Sequence, residues 1–135
     1  MYLIDTDVLI WVLRGNDASG LLLGNEKYLK FLQKLKDKEP LSISTITIAE
    51  IYKNIFPEEI IKTENLLQEF QIWDVTTSIA KQAGLYWQQY SPKLKNLNIT
   101  DCLIAASANM SNSTLVSLNI KHFPMKDIKV LNPGD

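Results

Sequence analysis

Tyr2-Leu3-Ile4-Asp5-Thr6-Asp7-Val8-Leu9-Ile10-Trp11-Val12-Leu13 is a short apolar run, a polar triplet and a longer apolar run that stops at Arg14-Gly15-Asn16-Asp17. The first run has the character of a buried strand and the second that of a buried helix, with the turn between them made of two carboxylates and a hydroxyl. The same junction recurs downstream. Leu41-Ser42-Ile43-Ser44 alternates apolar and polar as a strand does, and Thr47-Ile48-Ala49-Glu50 has the capping-box spacing that opens a helix. Between the two junctions, Gly15 to Asn25 carries three glycines and several turn formers and is expected to be irregular. Glu26 to Lys38 then sets Leu29, Phe31, Leu32 and Leu35 among lysines, one apolar face of a helix that closes before Pro40.

Further on, Pro57 suits the first position of a helix running to Phe70, Ile72-Trp73-Asp74-Val75 reads as a short strand, and Ser78 to Tyr90 as a helix closed by Pro92. Asn98-Ile99-Thr100-Asp101 leads into a helix through Met110, followed by strands at Thr114-Leu115-Val116-Ser117 and Lys129-Val130-Leu131. Strands alternating with helices throughout, without repeats or low-complexity tracts, predict an α/β layer fold with a central, mainly parallel sheet flanked by helices.

Bulk composition bounds the rest. At 135 residues, 46% apolar and 21% charged, the chain has the make-up of one ordinary globular domain over residues 1–135. No apolar run approaches the roughly 20 residues that span a bilayer, and the first residues lack the pattern of a signal peptide, so the expected address is the cytoplasm, without a membrane partner. The single cysteine, Cys102, excludes an internal disulfide, and zinc spacing of Cys and His is missing. Fourteen basic against fifteen acidic residues leave a net charge of -1, so contact with nucleic acid has to come from a local patch. The lysines between Lys27 and Lys38 and at Lys93 and Lys95 are candidates, although lysines on exposed helix faces ordinarily do no more than solvate them.

In an open α/β sheet, ligands bind beyond the carboxyl ends of the strands, and three acids fall there: Asp5, Glu50 and Asp101. Each alone is explained by helix capping, Asp5 as an N-cap, Glu50 as the partner of Thr47, and Asp101 as the third residue behind Asn98. Together they point elsewhere. Two carboxylates ~4 Å apart repel by ~4 kcal/mol at an effective dielectric of 20, so a convergent cluster wants a cation. Hard oxygens without His or Cys select magnesium or manganese. Asp7 either supports the shell of that ion or solvates the first helical turn, and Thr6 has a hydroxyl able to order Asp5 or a phosphate.

Other reactive residues favour plainer roles. Cys102, followed by Leu103-Ile104-Ala105-Ala106, reads as a small core hydrophobe; His122 reads as a surface residue near the site; Trp11, Trp73 and Trp87 favour core packing or a partner interface over base stacking. Arg14 and Lys121 are expected to be solvated rather than to hold substrate phosphate.

Four patches in order, Tyr2 to Ile10, Ile43 to Ile51, Asp101 to Ala106 and Leu115 to Phe123, resemble the PIN-domain family, particularly its VapC-like toxin branch, over nearly the whole chain. The resemblance implies a PIN-like three-layer fold, Mg2+ or Mn2+ held by acids at one sheet edge, and hydrolysis of RNA phosphodiester bonds. It carries the family's acidic positions onto Asp5, Glu50 and Asp101, and its fourth onto Asn119, with His122 at another position that is often acidic. Asn119 keeps a neutral oxygen but removes one negative charge. The toxin branch further implies a cognate antitoxin over the acidic groove and a homodimer, contacts that Ile55, Phe56, Ile60 and Ile61 would suit unless they are core. Two rivals stand beside this reading: a degenerate PIN scaffold that binds RNA or protein without cutting, and a haloacid-dehalogenase-like phosphohydrolase built on Asp5-Thr6-Asp7, which needs a lysine near the site.

Overall fold

The computed structural model describes residues 1–14 and 23–133. Its elements run in the order β1 (Tyr2–Ile4), α1 (Thr6–Arg14), α2 (Leu23–Lys36), β2 (Leu41–Ser44), α3 (Thr45–Tyr52), a 3-10 turn (Pro57–Glu59), α4 (Ile60–Leu67), β3 (Gln71–Trp73), α5 (Thr77–Tyr90), α6 (Ile99–Met110), β4 (Thr114–Val116), a second 3-10 turn (Ile120–His122) and β5 (Lys129–Leu131). The five strands form one sheet in the order β3-β2-β1-β4-β5, and every neighbouring pair is parallel.

Helices cover both faces of the sheet, and alternation along β1 shows why its run is wholly apolar. Leu3 joins Leu115, Ala83 and Tyr86 of α5 and the Cys102–Ala108 face of α6 on one side. Ile4 joins Val116, Ile43, Val8 and Leu9 of α1, and Leu32 and Leu35 of α2 on the other. Each such side chain contributes roughly 1.5–3 kcal/mol of transfer energy, and truncating one to alanine in a packed core costs about 2–5 kcal/mol. Cys102 is fully buried in the first cluster, and burial pushes its thiol up to about 11, which suits packing and not nucleophilic chemistry.

Several boundaries differ from those read in the sequence. Much of the expected Gly15–Asn25 irregular stretch lies outside the described residues; α2 begins at Leu23 and ends at Lys36, two residues short of the expected Lys38. The capping box assigned to Thr47 and Glu50 does not form. Ser44 caps α3 instead, its hydroxyl accepting from Ile46 N at 3.1 Å, so Glu50 falls in the second turn of the helix. The Pro57–Phe70 helix is divided: its first turn is 3-10, and α4 closes at Leu67. Strand β3 spans Gln71–Trp73, beginning one residue and ending two residues earlier than read, α5 starts at Thr77, and β4 stops at Val116, which leaves Ser117 beyond the strand.

Two caps fix the last site element. Asn98 accepts the Asp101 N–H at 2.8 Å and starts α6. At the other end Asn112 takes φ 53°, with Asn112 N donating to Asn109 O at 3.1 Å and Ser113 N to Ala108 O at 2.9 Å. This is a Schellman turn, and it delivers the chain directly into β4 beside β1.

Candidate acidic site

Asp5 stands where β1 ends. Its own N–H still pairs with Val116 O at 2.8 Å, and its carbonyl accepts from Val8 N at 3.2 Å, so one residue closes the strand ladder and opens α1. Its side chain is only partly spent on capping: Oδ1 accepts the Thr6 N–H at 2.8 Å, while Oδ2 accepts from the Ser117 hydroxyl at 2.8 Å. The parallel register that sets Ile4 beside Val116 carries Asp5 and Ser117 to adjacent positions one residue on.

Ser117, which the sequence reading missed, organises a second acid as well. It is fully buried; its Oγ is 3.3 Å from Asp7 Oδ2 and accepts the Asn119 N–H at 3.0 Å. Asp7 also accepts from Leu118 N at 3.2 Å and from Asn119 Nδ2 at 3.1 Å. These bonds tie α1 to the turn after β4, a role outside the two that the sequence offered for Asp7. Asn119 is exposed and spends an amide hydrogen on Asp7.

Glu50 is oriented by Thr6 and not by Thr47. Thr6 Oγ1 donates to Glu50 Oε1 at 2.7 Å and lies 3.1 Å from the buried Thr47 Oγ1, so the Thr6 hydroxyl serves Glu50 and neither Asp5 nor a cap. Asp101 projects from the first turn of α6. Its Oδ2 is shielded from solvent yet has no hydrogen-bond partner among the described residues, and His122 Nδ1 stands 3.7 Å away, too far for a hydrogen bond.

Asp5, Thr6, Asp7, Ile10, Trp11, Glu50, Asp101, Asn119 and His122 line one open cavity of about 300 Å³. Every acid singled out in the sequence is thus brought to the same place. Burial, then the adjacent Asp7 charge, pushes the Asp5 carboxyl up to about 7, against the help of Ser117. Burial also raises Asp7, and it raises Asp101 despite the opposing pull of His122. Carboxyls held above their ordinary range by desolvation and mutual repulsion are what a cation would relieve. The acids border one cavity without being drawn round a single point: among the described residues, no three His, Cys, Asp or Glu side chains stand close enough to hold one ion. What fits an ion is the all-oxygen donor set and the buried, unpartnered Asp101 Oδ2.

Residues expected elsewhere are sorted by the same geometry. Arg14 holds Glu59 through two hydrogen bonds, 3.0 Å from Nε and 2.9 Å from a terminal nitrogen, and also bonds Asn54 O, which ties α1 to the first 3-10 turn. It is therefore a structural residue and neither a solvated one nor a phosphate ligand. Lys121 is exposed. No lysine lines the acidic cavity among the described residues, which removes the group a phosphoaspartate mechanism needs. Trp73 packs against the first core cluster, but Trp11 and Trp87 are almost half exposed, so the core assignment fails for them. Phe56, Ile60 and Ile61 are exposed apolar residues and not core.

A family model for the PIN domain matches residues 2–128. Ribonuclease VapC10 of Mycobacterium tuberculosis is 33% identical over 125 residues, covering 93% of this chain and 87% of the relative. Ribonuclease VapC19 of the same organism is 28% identical over 126 residues, covering 93% and 94%. Among solved structures, VapBC2 from Rickettsia felis bound to a DNA fragment from their promoter superposes with a TM-score of 0.78, 24% identity and 97% of each chain covered.

Proposed function

Because the chain belongs to the PIN-domain family, we propose that it is a metal-dependent ribonuclease, hydrolysing RNA phosphodiester bonds, and the toxin of a toxin-antitoxin pair. The observation that carries the reading is the convergence of Asp5, Asp7, Glu50 and Asp101 on one open cavity, with a buried Asp101 oxygen that has no hydrogen-bond partner among the described residues. Carboxyls crowded together in this way cost the fold desolvation and repulsion, which a bound cation would offset.

Asp5, Glu50 and Asp101 would hold magnesium or manganese. When bound, such an ion supplies charge neutralisation and activation of water for attack on phosphorus. The protein's own contribution is orientation. Ser117 fixes the Asp5 carboxylate, Thr6 fixes Glu50, and Asp7, gripped by Leu118 N and Asn119, holds the β4 turn against α1. Asn119 contributes through Asp7, as a neutral group at the position where the resemblance implies a fourth acid. His122, 3.7 Å from Asp101 Oδ2, borders the cavity where it can meet a substrate phosphate when protonated.

The exposed Phe56, Ile60 and Ile61 suit a hydrophobic segment of an antitoxin, and the exposed Leu85 and Trp87 of α5 suit a second copy of the chain. No helix among the described residues is long and apolar enough to cross a membrane, and the cytoplasm is the proposed place of action.

The test is incubation of purified, antitoxin-free protein with total RNA and magnesium or manganese, beside an EDTA control and an Asp101→Asn preparation purified identically. Cleavage that needs metal and vanishes in the variant, while the variant melts at the same temperature or higher, supports the enzyme. Absence of cleavage from folded protein on every RNA tried moves the reading to a binding scaffold.

A further inference from the structure

A second charged feature lies outside the acidic cavity. Lys27, Lys30 and Lys34 of α2 follow one another at intervals of three and four, so they share one helical face. With Phe31 and Pro133 they line a cleft of about 280 Å³. All three are exposed, and among the described residues only Lys30 has a carboxylate within ion-pair reach, the exposed Glu26 at 3.9 Å. Among the described residues, the three clustered ammonium groups thus have one distant carboxylate between them.

Aromatic rings join this cleft to the acids. Lys27 Nζ lies 5.7 Å from the centre of the Tyr28 ring. The Tyr28 ring meets Trp11 edge to face, centroids 6.0 Å apart and planes at 61°. Trp11 is 45% exposed and lines the acidic cavity. A second link runs through the backbone: Leu118 gives its N–H to Asp7 and receives Asn132 Nδ2 on its carbonyl at 3.5 Å, and the next residue, Pro133, lines the lysine cleft.

We propose that the Lys27–Lys30–Lys34 face, Tyr28 and Trp11 form a track for single-stranded RNA that ends at the acidic cavity, the lysines taking successive phosphates and the exposed indole stacking on a base. Charge complementarity selects a polyanion, and the rings set between cations and acids select one with flat bases accessible, since a duplex hides its base faces and an acidic peptide has no use for the indole. The inference rests on the ribonuclease reading for the chemistry at the end of the track, but the binding it describes is measurable without cleavage.

The experiment titrates the full chain into a short fluorescein-labelled oligouridine in EDTA and follows anisotropy across a range of salt, for the unaltered protein, the Lys27→Gln/Lys30→Gln/Lys34→Gln variant and Trp11→Ala, with circular dichroism melts to show that each is folded. The triple variant is expected to bind about tenfold or more weakly, with a salt slope shallower by about 2, from three single-strand phosphate contacts at roughly 0.7 each. Trp11→Ala is expected to weaken binding with the slope unchanged. Equal affinity and slope in the triple variant overturn the track, as does lysine-dependent binding of polyglutamate with oligouridine binding unaffected. Cleavage of RNA with an unaltered KM in a triple variant that also binds normally sinks the track and leaves the nuclease standing; lysine-dependent binding by a protein that cuts nothing does the reverse.

Discussion

The Ser117 hydroxyl donates to Asp5 Oδ2 at 2.8 Å across 112 residues of sequence, a buried contact between the turn after β4 and the end of β1. A buried hydrogen bond to a charged group is worth about 1.5–3 kcal/mol, and removing the donor strands the acceptor. Ser117→Ala is therefore expected to lose roughly that much stability at pH 8 in EDTA, and less at pH 5, where Asp5 carries a proton. Urea unfolding at the two pH values measures both; equal losses would mean that the hydroxyl does not serve the ionised carboxylate.

The raised Asp5 carboxyl sets a pH dependence of its own. Its folded value, about 7, lies above the 3.8 of an ordinary aspartate, so the native state holds a proton that the unfolded chain has released. This contribution to stability is present at low pH and is lost as pH rises through about 7. Metal-free protein should lose about 2–3 kcal/mol between pH 5 and pH 8 from this group. Magnesium should flatten the decline, because a bound cation favours the ionised form. A metal-free stability that rises over that interval would contradict it.

Thr6→Val keeps the shape of the side chain and removes the donor that holds Glu50 Oε1 at 2.7 Å. Loss of a hydrogen bond that orients a metal-binding carboxylate typically costs 10–100-fold in activity or metal affinity. The expected variant is folded, melts within a few degrees of the unaltered protein and cleaves RNA about 10–100-fold more slowly. Full activity would show that Glu50 needs no such support.

Gly84 offers a control remote from the chemistry. It lies inside α5, and a Cβ built on it would meet nothing within 4 Å. Gly84→Ala should raise stability by about 0.5–1 kcal/mol, by restricting the unfolded chain and favouring the helix, with cleavage unchanged. The urea midpoint reads it directly.

Much of this architecture was legible in the residues. The Tyr2–Ile4 run, the apolar stretch after Asp7 and the Asn98-Ile99-Thr100-Asp101 start of α6 announced their elements, because apolar spacing and a cap agree at each. Agreement failed where several residues can do one job. Between Ser42 and Thr47 four hydroxyls compete to cap α3, and packing of Ile43 and Ile51 gives the role to Ser44. Asp5, Glu50 and Asp101 were found as carboxylates at the ends of strands and starts of helices; Ser117 was not, since a serine after Val116 looks like one more strand residue until the pairing of Ile4 with Val116 sets it beside Asp5. Likewise Thr6 was visible as polar, but its choice of Glu50 belongs to the distance between α1 and α3, which no local pattern encodes.

The strand order gives the acidic cavity a schedule. β1 precedes every other strand in the chain, yet it occupies the middle of the sheet, with β2 on one side and β4 on the other. Asp5 is thus made well before its partner and stays incomplete until Thr114–Ser117 has emerged and docked beside it. A chain in which β4 has not yet docked can pair β1 with β2 and hold Glu50 through Thr6, but it lacks the Ser117 hydroxyl that fixes Asp5, and pairings so distant in sequence form late in folding.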